Sequence, residues 1–236
     1  MVQRKVNFLT ILGITTNSLS SILINLFTGE TVNFKETTMA NRNSAGFGFI
    51  PAGTLGNTPA TNGLSEYFID AADSANKFNG MGVRVTAGYI VTGEDSATGT
   101  SVGVLQGIFY NAATTLKPTF ASWYDATITP ANSEDTKAFV NDYPWQLYNV
   151  ATDAEVATTI VGAHAIYLDT FDVNTGGNTT TGRSSTTIDI GDTHATNNTW
   201  RLIRSAEDPE NNDLTAAYCT VVVIQNLNEY IDSTGA

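Results

Sequence analysis

VGVLQGIFYNAATTLKPTFASWYDATITPANSEDTKAFVNDYPWQLYNV, residues 102–150, alternates short apolar runs with clusters of turn-forming residues. Residues 102–110 read as a strand in which Gly103 and Gly107 mark bulges or a close backbone approach. Residues 118–124, 137–141 and 145–150 read as three further strands, and 130–135 as a turn. The same pattern continues on both sides. Residues 64–69, 186–190, 200–204 and 216–225 are short strands, the last two joined by an acidic turn at 207–213. Residues 83–91 read as one strand, with Val83, Val85, Ala87 and Tyr89 at period two. Residues 174–185 read as a polar loop, and 153–159 as a single helical turn. Residues 160–172 are apolar but too broken to assign. Short strands with frequent turns predict an all-β fold, a single β-sandwich or barrel-like domain.

Composition agrees. The chain has 236 residues, 36 of them threonine and 22 asparagine, and only 14% are charged. Threonine favours strands and asparagine favours turns, which argues against a helical bundle or a doubly wound α/β enzyme. The net charge is −12, from 11 basic and 23 acidic residues. No basic stripe can be assembled to track phosphates or to seek an anionic membrane, so neither nucleic acid nor membrane is an expected partner. A lone cysteine, Cys219, excludes an intrachain disulfide, and its apolar surroundings in sequence predict a buried, inert thiol.

The first 38 residues differ from the rest. Residues 1–29 start basic and turn apolar like a signal peptide, but Thr15, Thr16, Asn17 and Ser18 break the apolar run. They are also too interrupted for a membrane span. A third reading starts translation at Met39: Lys35-Glu36 is compatible with the codons AAGGAG, a bacterial ribosome-binding sequence, followed by a two-codon spacer. On that reading residues 1–38 are a non-native upstream extension, 39–63 an extended Gly/Pro-rich arm, and 64–236 the β-rich domain.

The arm segment, SAGFGFIPAGTLGNTPATNG at 44–63, holds five glycines and two prolines. Its apolar studs are Phe47, Phe49, Ile50 and Leu55. They serve either a loop tucked onto its own domain or an arm docked on a neighbouring subunit. Phe47 and Phe49 alternate, so an extended backbone sends both to one side. A second cluster, Asp142-Tyr143-Pro144-Trp145, sets a proline between two large aromatics. Proline cannot sit inside a central strand, so this segment opens an edge strand. Trp145 then serves either core packing or, with Tyr143 and Pro144, a contact patch. Trp123, Tyr124 and Trp200 read as core.

Catalytic signatures are missing: there is no GxSxG, HExxH, GxxxxGK[ST] or CxxC. Two histidines and one cysteine do not make a zinc site of usual ligand count. A calcium loop counted from Asp172 or Asp208 places Arg183 or Cys219 where its glutamate belongs. Adjacent acids at Glu94-Asp95 and Glu134-Asp135 read as solvated turns. No cofactor is expected.

The order of motifs resembles a family of tailed-phage head proteins, the capsid decoration or cement proteins encoded near the major capsid protein. Gly48-Phe49-Ile50-Pro51 matches its arm, Leu55-Gly56 its following turn and Tyr67-Phe68-Ile69 its first strand. Gly80-Met81-Gly82-Val83 stands where the family has Gly-Asp-x-Val, without the Asp. Gly103-Val104-Leu105-Gln106-Gly107-Ile108-Phe109-Tyr110 matches the next strand, and Trp123-Tyr124 with Asp142-Tyr143-Pro144 its aromatic segment and turn. Residues 179–185, Arg201-Leu202-Ile203, Pro209-Glu210-Asn211 and 220–224 complete the order. The resemblance implies a non-catalytic virion protein, made in the host cytoplasm and bound to the capsid surface. Its partners would be the major capsid protein and further copies of itself, as dimer or trimer. Two other readings stay open on the residues alone. One is a carbohydrate-binding or adhesin-type sandwich using Tyr143 and Trp145 as stacking platforms. The other is a different virion component, such as a tail tube, fibre or capsid protein.

Overall fold

The computed structural model describes residues 41–56, 63–93, 100–156, 170–194 and 198–231, all within one compact unit, Ala40–Ala236. The expected upstream extension, residues 1–38, lies outside the described residues. In chain order the strands are β1 (Ile50–Thr54), β2 (Ser65–Ile69), β3 (Gly82–Thr86), β4 (Tyr89–Thr92), β5 (Gly103–Asn111), β6 (Pro118–Ala121) and β7 (Thr136–Asn141). They continue with β8 (Gln146–Thr152), β9 (Thr170–Asn174), β10 (Gly177–Asn178), β11 (Arg183–Ser184), β12 (Thr187–His194), β13 (Trp200–Ser205) and β14 (Thr220–Gln225). Among the described residues the sole helical element is a three-residue 3-10 turn, Ala131–Ser133. The fold is all-β, as the sequence predicts: two large sheets packed together, with a small β10–β11 hairpin.

The first sheet runs β1-β8-β12-β9-β13-β14, and β14 returns to pair with β8. Five strands therefore close into a ring. One edge of β8 carries β14, from Leu147↔Ile224 to Ala151↔Thr220. The same strand also pairs with β1 through residues 146–149 and, in parallel, with β12 through Ala151 and Thr152. The ring encloses a core of Phe49, Tyr148, Val150, Phe171, Ile188, Trp200, Leu202, Val221 and Val223. All six residues of β14 are buried, so its valine run reads as continuously apolar rather than alternating.

The second sheet runs β2-β7-β5-β3-β4, with β6 on β5 beside β3. Its core holds Ile69, Val83, Ile90, Val102, Leu105, Ile108, Tyr124, Ala138 and Val140. The two cores meet along β5, where Val104 packs into the first and its neighbour Leu105 into the second. Successive residues of a strand point to opposite faces, so one strand serves both.

Residues 83–91 are two strands, not one. Ala87 (φ 52°) and Gly88 (φ 88°) both take left-handed backbone, and Thr86 lies opposite Tyr89. Positive φ at two consecutive positions makes the tight turn that matches the twist of a hairpin. The polar loop of 174–185 contains the β10–β11 hairpin, and 153–156 is not helical. Residues 157–159 lie outside the described residues.

Among the described residues, Lys77 is a fully buried cation. The Lys77 side chain has no exposed surface, and its Nζ lies 2.5 Å from Asp73 Oδ2 and 3.1 Å from the Ala75 carbonyl. It also sits 5.2 Å from the centre of the Tyr124 ring. The Tyr124 hydroxyl donates to the Asp73 carbonyl, and Lys77 and Tyr124 exchange backbone hydrogen bonds.

Candidate docking surfaces

The proline makes a turn, but the strand it opens is not the edge strand the sequence leads one to expect: β8 is interior, with β1 on one side and β14 on the other, and Pro144 is accommodated because it lies just before the strand begins. Asn141 ends β7, and the Gln146 N–H donates to the Tyr143 carbonyl at 3.0 Å, closing a turn with Pro144 in its second position. Proline presets the φ that this position requires. The chain then enters β8, whose first residue anchors a strand from far away. Gln146 Nε2 donates to the Gly53 carbonyl at 2.6 Å, and the Leu55 N–H donates to the Trp145 carbonyl at 2.9 Å. Leu55 and Trp145, 90 positions apart in sequence, therefore sit side by side. Leu55 is 44% exposed, Trp145 48% and Leu64 48%. A cleft of about 470 Å³ opens beside them, lined by Leu64, Asp142, Tyr143, Pro144, Gln146 and Tyr230 among others. Asp142 is fixed at its wall by the Tyr67 hydroxyl, which donates to Oδ2 at 2.8 Å. That hydroxyl also bonds the Tyr230 hydroxyl. Burial, together with these two partners, holds the Tyr67 phenol well above its ordinary pKa.

Of the seven candidate interface residues, four meet here: Leu55, Tyr143, Pro144 and Trp145. Ile50, 40% exposed, lies at the other end of β1, opposite Asn149. β1 is an edge strand with Pro51 and a register shift before Gly53, features that discourage unwanted strand pairing. Phe47 is half-buried. Phe49 requires a correction. The segment is extended, but Phe49 is 1% exposed and fills the core of its own domain rather than facing a neighbour. Its ring stacks on Trp200 at 3.9 Å and meets Tyr148 edge-on at 5.9 Å. The cause is Gly48, whose φ of 76° breaks the alternation that would have kept Phe47 and Phe49 on one side. A side chain at Gly48 would stand 2.7 Å from the Gly80 carbonyl oxygen, so only glycine fits. The segment is also tied down upstream, where the Asn41 side chain bonds the Asp213, Ala216 and Ala217 carbonyls.

The sequence reading missed a second surface. On the outer face of the second sheet, Phe120 of β6 pairs with Phe109 of β5, which pairs with Lys137 of β7, which pairs with Phe68 of β2. Phe139 lies two residues along β7 from Lys137, opposite Glu66. Ring centres are 4.8 Å apart for Phe109 and Phe120, and 6.4 Å for Phe120 and Phe139. Phe120 is 73% exposed and Phe68 44%. The alternation Glu66, Phe68 and Lys137, Phe139 was visible in sequence, but apolar residues on both faces of these strands hid which face is the core.

Cys219 is buried, with its sulfur 3.1 Å from Thr152 Oγ1. Burial pushes its thiol pKa up, so little thiolate is present at neutral pH. Alkylation of the native protein is expected to be slow and to become fast only in denaturant. Rapid stoichiometric labelling of native protein, followed by mass, would refute this placement. No family model, curated protein or solved structure matches the chain.

Proposed function

We propose that this chain is a structural protein of a phage capsid that binds the outside of the shell and stabilises it by adhesion, without catalysis. The observation that carries the reading is the ridge formed by the neighbours Leu55 and Trp145 beside the proline corner, with Leu64 on the wall of the adjoining cleft. These are large apolar side chains, each nearly half exposed, on a chain of net charge −12. Exposed apolar clusters with polar surroundings mark interaction sites. The motif order shared with capsid decoration proteins supports the same reading. Burying such a ridge contributes about 25 cal/mol per Å² of apolar surface, and repetition over a shell multiplies weak contacts into firm attachment.

The test uses purified particles and added protein. The parent chain is expected to bind at a fixed ratio to the major capsid protein. Leu55→Ser with Trp145→Ser is expected to weaken binding about tenfold or more, a loss of about 1.4 kcal/mol, while the thermal midpoint stays near that of the parent. Saturation of particles by the double variant at the parent's concentration would remove the ridge from the interface. Failure of the parent to bind would remove the capsid reading itself. A second reading, sugar binding, draws on the cleft lined by Asp142, Tyr143 and Tyr230. Retention on immobilised glycans, lost in Tyr143→Ala, with no binding to particles would favour it.

A further inference from the structure

We propose that the acid-rimmed end of the phenylalanine face binds a basic, extended segment of another protein, seating its arginine side chains in two aromatic clefts. The clefts share a wall made by Phe68 of β2 and Asp135, the residue before β7. One, of about 320 Å³, is lined also by Phe109, Tyr110, Glu134 and Lys137 among others. The other, of about 330 Å³, adds Tyr89 and the turn residues Ala87 and Gly88. Rings therefore wall both clefts, and Phe68, common to the two, is 44% exposed. Exposed apolar surface of this kind on a folded chain marks a binding site.

Charge selects the partner. Lys137 is the sole basic residue lining either cleft, and its Nζ lies 2.8 Å from Glu66 Oε2, so that pair is neutral. Glu134 and Asp135 remain as two exposed carboxylates beside the rings. Asp135 is already oriented: Oδ1 accepts from the Ala71 N–H at 3.1 Å, and Oδ2 from the Tyr89 hydroxyl at 3.2 Å. Each oxygen keeps a second lone pair for an incoming donor. An acidic partner is repelled here, and a neutral apolar one leaves both carboxylates without a counter-charge. A guanidinium meets both demands, because it lies flat on an aromatic ring while its N–H groups donate to a carboxylate. Side chains at i and i+2 of an extended segment stand on one side, about 7 Å apart, so alternate arginines can enter the two adjoining clefts. The site does not depend on what the proline corner binds.

The probe is the peptide N-acetyl-Leu-Thr-Arg-Thr-Arg-Thr-Leu-amide, titrated calorimetrically into the full chain. At about 0.15 M salt exposed charges are screened beyond about 8 Å, which separates the site from the acidic charge of the whole chain. The parent is expected to bind saturably, one peptide per chain. Citrulline in place of both arginines keeps the shape, removes the charge and is expected to weaken binding about tenfold or more. Phe68→Ala is expected to weaken it about tenfold, since the ring serves both clefts, and Glu134→Gln about threefold. Glu207→Gln removes the same charge from an exposed position that lines neither cleft and is expected to change nothing. Absence of saturable binding to the parent overturns the proposal. So does a citrulline peptide that binds as tightly as the arginine peptide, which would make the face merely apolar. Equal losses in Glu207→Gln and Glu134→Gln would reduce the attraction to the overall charge and overturn it as well. Should Phe68→Ala fail to fold, Glu134→Gln combined with Asp135→Asn decides in its place, and unchanged affinity there removes the site.

Discussion

Replacing Phe49 by alanine is expected to lower the unfolding free energy by about 3–5 kcal/mol, the range for removing a large aromatic from a packed core. The ring touches two others, Trp200 and Tyr148, and is 1% exposed, so its loss leaves a void the neighbours cannot fill without breaking their own contact. For a domain of this size the thermal midpoint should fall by roughly 10 °C. Deleting residues up to Gly53 should do more, because it also strips β1 from β8. Thermal and urea unfolding followed by circular dichroism measure both. An unchanged midpoint in Phe49→Ala would mean that the ring faces outward and that the segment is free to dock elsewhere.

Asp73→Ala is expected to cost about 3 kcal/mol, because it strands the buried Lys77 ammonium with only a carbonyl and the Tyr124 ring for company. Lys77→Met should cost clearly less, since it removes the charge and keeps an apolar stem of similar length. The double variant should be more stable than Asp73→Ala alone, which a double-mutant cycle in urea would measure. The order of these variants carries the argument. If Asp73→Ala is as stable as the parent, Lys77 has reached water and the ion pair contributes nothing.

The strands were largely legible from composition and alternation, and their partners were not. Residues 103–111, 136–141, 146–152 and 220–225 carry runs of apolar residues that read as strands without help. By contrast, β1 lies in a Gly/Pro-rich stretch without periodicity, and its extended state is imposed by β8, nearly a hundred residues away. Ala87 in left-handed backbone is a conformation alanine rarely takes, so the turn inside residues 83–91 had no local signal. The proline corner was recognisable because a proline between two aromatics has few places to go. That Leu55 belongs beside Trp145 follows only from the register of β1 on β8. The burial of Phe49 is hidden for a related reason: Gly48, between Phe47 and Phe49, takes a positive φ, which resets their alternation.

The way β8 is used fixes the tempo at which this molecule becomes complete. Its backbone bonds with strands that precede it and with strands that follow it, including β14 at residues 220–225. Closing loops of such length before any contact forms is entropically slow, so non-local strand pairing of this kind puts folding in the millisecond-to-second range. Until β14 arrives, β8 presents an unsatisfied edge flanked by apolar side chains, a template for pairing with the wrong chain. Yield during production should therefore respond to temperature and expression rate more than to anything at the surface, and a nascent chain lacking its last strand is the species most prone to aggregate.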